Sequence, residues 1–301
     1  MKLRQSISDI LHVVSFIAAL CVVAIHANVD GKWNFVCQTL TSWAVPFFFL
    51  QSGFFFGLSS YITRGGGALL LLKKKFNGLF YPYITWIAIA TTICMPLVLF
   101  NNHLTGHPLL ERTIFAEPSI WSVMDSTFAI GRNSPRHLGV LWFVRALMIL
   151  FVMAPLWKIM ARRSLCWLLV IAFIFAHFYY PQIDFHGFQL RIGAASYFFL
   201  GIAVAIYLPN NLLFVSESDN TQIINPQVIS ICTLSFWIYV THNIYLSYII
   251  AIWHVVFHKS PLSLELSFPF AFLVATFISM FSGLMLKRYA LHIYTFLNGG
   301  R

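Results

Sequence analysis

Apolar stretches of about twenty residues recur from one end of this chain to the other, which is the length a helix needs to cross a ~30 Å hydrocarbon layer. Backbone facing lipid must satisfy its own hydrogen bonds, so runs of this kind fold as helices. Of the 301 residues, 59% are apolar and only 9% charged, too few to cover the core of a soluble domain. The pattern predicts an all-α, polytopic transmembrane helix bundle. About eight spans are expected, at residues 10–28, 35–61, 79–100, 139–157, 165–180, 190–208, 228–257 and 264–286.

The net charge of +10 has a distribution that argues against nucleic acid as a partner. Basic residues fall in short clusters beside apolar runs: Lys2 and Arg4, then Lys73, Lys74 and Lys75, then Lys158, Arg162 and Arg163, then Lys287 and Arg288. That alternation follows the positive-inside rule and places both termini in the cytoplasm. The inner loop expected at 209–227 breaks the trend, carrying acids and no base. The bilayer is the first partner implied, and anionic headgroups suffice to explain the excess charge. The five cysteines show neither CxxC nor metal-ligand spacing and read as small hydrophobes. The N-terminal run is long and lacks a small-x-small site, so it is expected to stay as the first span. Residues 63–78 read as an inner loop whose glycines lack P-loop spacing. Residues 101–138, polar but bearing Trp121 and Phe128, read as an extracytoplasmic loop or cap on a single domain spanning 1–301.

Candidate chemistry lies in the spans. The run at 13–28 ends in His26, whose helix face also carries Val22, Ala19, Ser15, His12 and Ser8. An ionisable group at membrane depth is tolerated where it faces a bundle interior or an aqueous cavity. His26 is therefore either a satisfied packing histidine or a general base. Arg145, inside the fourth run, suits a phosphate or a developing oxyanion, or else bonds backbone carbonyls. Arg191 reads as an interfacial anchor. His242 and Asn243, near which the long seventh run is expected to tilt or break, either line a cavity or bond across helices. Trp142 reads as packing before it reads as a substrate platform. The lysine run is a topology signal that also attracts anions to the inner face. No serine triad, zinc signature or carboxylate pair is present, and the near absence of acids from the spans argues against a carboxylate proton relay.

Several segments resemble, in order, those of the acyltransferase-3 membrane acyltransferases. They are LHVVSFIAALCVVAIH in the first span, VPFFFLQSGFFF (45–56), KKKFNGLFYPY, LWFVRALMILFVMAPL (141–156), YFFLGI (197–202) and SFWIYVTHNIYL (235–246). The resemblance implies transfer of an acyl group, usually acetyl, from acyl-CoA to a hydroxyl of a cell-envelope saccharide or glycolipid. His26 matches the family's histidine and would be the proton acceptor. Lys73, Lys74, Lys75, Trp142, Arg145, His242 and Asn243 become candidates for donor or substrate contacts. Acetyl-CoA would be a co-substrate, with no bound cofactor or metal, and a bacterial cytoplasmic membrane the location.

Two family cations are replaced here, one by Ser15 and one by Gly78, and the interval between the sixth and seventh spans is short by about a helix pair. A second reading follows from these departures: a catalytically degenerate relative that binds or translocates a lipid-linked glycan. The enzymatic reading requires His26 to face a cavity open toward the lysine run.

Overall fold

The computed structural model describes residues 2–27, 33–63, 67–105, 139–161, 166–179, 192–208, 214–215, 224–257 and 263–300. These are helical apart from a two-residue antiparallel ladder that pairs β1 (Lys2–Leu3) with β2 (Phe214–Val215). In chain order the helices are α1 (Gln5–Ala27), α2 (Asn34–Thr41), α3 (Ala44–Gly57), α4 (Ser60–Thr63) and α5 (Ala68–Thr105). A 3-10 turn at Gly139–Leu141 leads into α6 (Trp142–Val152), followed by α7 (Ala154–Met160), α8 (Cys166–Tyr179) and α9 (Ile192–Tyr207). The remainder comprises α10 (Pro226–Cys232), α11 (Ser235–Phe257), α12 (Ser263–Tyr289) and α13 (Leu291–Leu297).

Each of the eight expected apolar segments contains at least one of these helices, but several are broken. By length and composition, two described helices suffice to cross a membrane, Gln5–Ala27 and Leu266–Tyr289. The number rises to four if each of two bent pairs counts as one span, and three further apolar helices are shorter. The segment at 35–61 divides at Ser42–Trp43, with α3 starting just before Pro46, the place where proline is best tolerated. The α6–α7 pair bends by 64° at Met153, where Pro155 lacks the N–H needed to continue the ladder.

Three expectations are corrected. The stretch 63–78 is not a loop throughout: α5 begins at Ala68, so Lys73, Lys74 and Lys75 ride on a helix. At ~1.5 Å per residue its 38 residues extend about 57 Å, well beyond an apolar layer. The break in the seventh segment lies at Thr233–Leu234, with a 45° bend, and not beside His242 and Asn243. There Lys287 donates to the Ser230 carbonyl (3.3 Å) and to the Ser230 and Thr233 hydroxyls, neutralising the exposed end of α10. The short helix α13 was not anticipated. Of the expected cap, 106–138 lie outside the described residues, as does Arg191.

The tightest contact in the bundle joins α3 to α9. A Cβ on Gly53 would lie 1.8 Å from the Phe198 carbonyl oxygen, and one on Gly201 would lie 2.0 Å from that of Leu50. Gly57 meets Ala205 one turn further along. The sequences GFFFG and GIAVA thus act as paired small-xxx-small faces that bring two backbones together. Aromatic rings fill the space around them, with Phe56, Phe151 and Phe198 in mutual contact and Trp157 against Phe198. Helix α1 packs against α2, α3, α10, α11 and α12, so its cavity-facing residues are held from several sides.

Gly53→Ala should force the α3 and α9 backbones apart and cost about 3 kcal/mol. Thermal unfolding of the purified protein in detergent checks this, with Gly57→Ala, whose nearest contact is a methyl group, as the milder comparison.

Candidate functional site

Helix α1 contributes to two polar regions, one along its N-terminal half and one at its C-terminal end. The first is a cavity of about 470 Å³. Ser8, His12 and Ser15 line it from α1, Gln51 and Ser52 from α3, and Lys74, Lys75 and Gly78 from α5. Phe143, Leu147 and Phe151, spaced four apart on α6, form an apolar wall, and Tyr239 of α11 forms another part of it. Ser15 donates to the Leu11 carbonyl at 2.6 Å, and the Gln51 amide donates to the Ser15 hydroxyl at 2.9 Å. The Lys75 ammonium lies 4.4 Å from the centre of the Phe151 ring, a cation–π contact at the edge of the cavity.

The segment after α13 completes the lining with Asn298 and Gly299. It is anchored by the Trp86 indole, which donates to the Leu297 carbonyl at 3.0 Å, and by the Tyr294 hydroxyl, 3.4 Å from the Thr233 carbonyl. Burial pushes the Tyr294 phenol up to about 12, so it remains a donor across the physiological range. Gly299 has a φ of +73°, and a Cβ there would lie 2.3 Å from the Gly78 carbonyl oxygen. A Cβ on Gly78 would likewise stand 3.2 Å from the Gly299 carbonyl oxygen. The Gly299 turn therefore lies against Gly78, the position where the resemblance implies a cation.

The second region is a pair of histidines. His26, in the last turn of α1, is accessible on one side and ringed by protein elsewhere. Its ring centre lies 5.4 Å from that of His242, with the planes tilted by 37°. His242 is fully buried, and its Nδ1 lies 3.0 Å from the Ile238 carbonyl. Tyr239 connects the two regions, since its ring lines the cavity and sits 6.3 Å from that of His242. Its hydroxyl donates to the Val140 carbonyl at 2.7 Å, and the rings of Phe48 and Phe143 flank it.

The expected site residues therefore divide. Lys74 and Lys75 line the cavity, while Lys73, one position earlier on the helix, does not. The expectation that His26 faces a cavity open toward the lysine run is corrected: His26 and His242 meet each other outside the cavity lining, and Tyr239, whose ring packs near that of His242, is the lining residue that approaches them. Asn243 is half-buried beside His242. Arg145 is buried on the face of α6 turned from the cavity, where its charge acts on the Tyr83 phenol of α5. Trp142 packs with its ring 6.0 Å from that of Phe49. The reading of residue types missed Gln51, Asn298 and above all Tyr239. The last had a signal: in SFWIYVTH, Tyr239 precedes His242 by three, one helical face.

Apolar helices of membrane-crossing length and a polar interior define an integral membrane protein. The chain belongs to the acyltransferase-3 family, whose acyltransferase domain matches residues 10–218. Comparison with curated proteins and with solved structures gives no significant match. The matched residues include His26, Gln51, the lysine run and Arg145, and stop short of Tyr239, His242 and Asn298.

Tyr239→Phe should remove one buried hydrogen bond and cost about 1 kcal/mol, read as a lowered Tm, with the fold retained.

Proposed function

We propose that this protein is a membrane-embedded O-acyltransferase that moves an acyl group, acetyl in the simplest case, from acyl-CoA to a hydroxyl of a cell-envelope saccharide or glycolipid. The observation that supports the reading is an exposed histidine within the family-matched residues, packed against a second, buried histidine, with Tyr239 lying between that pair and a cavity bearing two lysines. Eight crossings with both termini on the cytoplasmic side of a bacterial inner membrane put the lysines where acyl-CoA is found. The chain then forms one domain, with 101–138 as its extracytoplasmic cap.

Lys74 and Lys75 attract the phosphates of the donor, and the apolar wall of Phe143, Leu147 and Phe151 accepts its less polar arm. The acyl end has to pass the Tyr239 ring to reach His26. His26 takes the proton from the acceptor hydroxyl as its oxygen attacks the thioester carbonyl. The tetrahedral oxyanion collapses with loss of the thiolate, which recovers that proton from His26. Asn243, beside His242, is the amide donor nearest this pair in sequence. Arg145 acts at a distance through Tyr83 and the α5–α6 contact, which keeps the cavity wall in place.

The apposition of Gly299 and Gly78, where the family carries a cation, favours one alternative: a relative that binds or moves a lipid-linked glycan without acylating it. One experiment separates the two. Protein reconstituted in vesicles should transfer labelled acetyl from acetyl-CoA to a saccharide acceptor, and His26→Ala should lower the rate by about 10²–10⁴-fold. Glycan binding without incorporation of label supports the alternative, and a His26→Ala rate equal to that of the unaltered protein rejects His26 as the base.

The double substitution of Lys74→Ala and Lys75→Ala should raise KM for acetyl-CoA several-fold and leave kcat within about twofold. Both ammonium groups are at least partly exposed, so that increase should shrink at high ionic strength. Initial-rate kinetics at two salt concentrations test it.

A further inference from the structure

We propose that His242 is a positioning residue for His26: its bare Nε2 accepts a hydrogen bond from one ring nitrogen of His26 and leaves the other as the lone pair on the accessible side. This rests on the reading of His26 as the general base, and it reassigns His242 from donor or substrate contact to support of that base.

The tautomer of His242 follows from its surroundings. A backbone carbonyl can only accept, so the 3.0 Å contact with Ile238 places the proton of the neutral ring on Nδ1. Nε2 is then a pure acceptor. It is buried and has no hydrogen-bond partner among the described residues. An acceptor left in that state has lost its water without gaining a bond, a penalty that a donor from the neighbouring ring would recover. His26 is that neighbour, and its open side gives it room to turn a ring N–H onto Nε2.

A histidine base is commonly oriented by a carboxylate. Among the described side chains the only acidic one is Asp9, whose Oδ1 accepts from Gln5. Asp9 precedes His26 by seventeen residues on α1, which puts it about 25 Å away along the helix axis. His242, whose ring centre lies 5.4 Å from that of His26, comes from a helix beyond the residues the family comparison matches.

In the transfer step the acceptor O–H bond breaks and its proton moves to the outward nitrogen of His26. The new C–O bond forms, the C–S bond breaks, and the same proton goes to the departing thiolate. The inner N–H of His26 remains bonded to His26 and directed at His242, which gains and loses no proton.

Two measurements on the purified full-length protein test the pair. Imidazole ¹⁵N NMR of histidine-labelled protein, assigned by difference with His242→Gln, should show His242 as the Nδ1–H tautomer with a hydrogen-bonded Nε2; an Nε2–H tautomer overturns the proposal whether or not the protein is active. In acetyl transfer, His242→Phe should lower kcat by about 100-fold with KM for both substrates within twofold. His242→Gln, which restores an acceptor oxygen, should recover at least tenfold of that loss. Full activity in His242→Phe, or no recovery in a folded His242→Gln, overturns the pairing. If His26→Ala is fully active, the base reading itself fails, and the NMR result then decides the hydrogen bond alone.

Discussion

Two glycines set the frame. Gly53 and Gly201 lie so close to the opposing carbonyls of Phe198 and Leu50 that α3 and α9 behave as one double rod. In lipid there is no hydrophobic gain from hiding one apolar helix behind another, so close backbone packing supplies the attraction. Gln51 and Ser52 sit beside Gly53, and their place in the cavity wall follows from that contact. The phenylalanines of FFFLQSGFFFG then pack outward from the rod into rings on α6 and α11, and Phe198 of α9 meets Trp157 of α7.

The polar groups fall at two depths, separated by the Tyr239 ring. One set gathers where α1 starts, near Lys74 and Lys75, and the other where α1 ends, at His26. Between Ser15 and His26, α1 contributes small and aliphatic residues to the core, with Ala18, Ala19, Val22 and Val23 nearly inaccessible. That dry interval is the reason Tyr239 and His242 matter: they are the polar groups that bridge it from the facing helix.

The sequence announced the helical class, the positions of most helices and the importance of His26, because apolar length and a histidine at membrane depth are local signals. It announced less about where the helices bend. At the break near Thr233, Lys287, fifty-four residues away, reaches the Thr233 hydroxyl and the Ser230 carbonyl and hydroxyl, a contact no local pattern shows. The partnership of His26 with His242 was likewise invisible, since no spacing rule links residues on helices so far apart in the chain. The placing of Arg145 away from the cavity was hidden for a related reason: a cation in an apolar run marks a polar environment without saying which side of its helix that environment lies on. The side was readable from Phe143, Leu147 and Phe151 only once the cavity was known.

The length of α5 has a mechanical consequence. The lysines and the Trp86 anchor share one uninterrupted helix, so the height and bearing of the ammonium groups are fixed by screw geometry, with no joint to absorb error. One residue inserted between Gly78 and Trp86 would turn everything before it by about 100° and carry Lys74 and Lys75 off the cavity altogether.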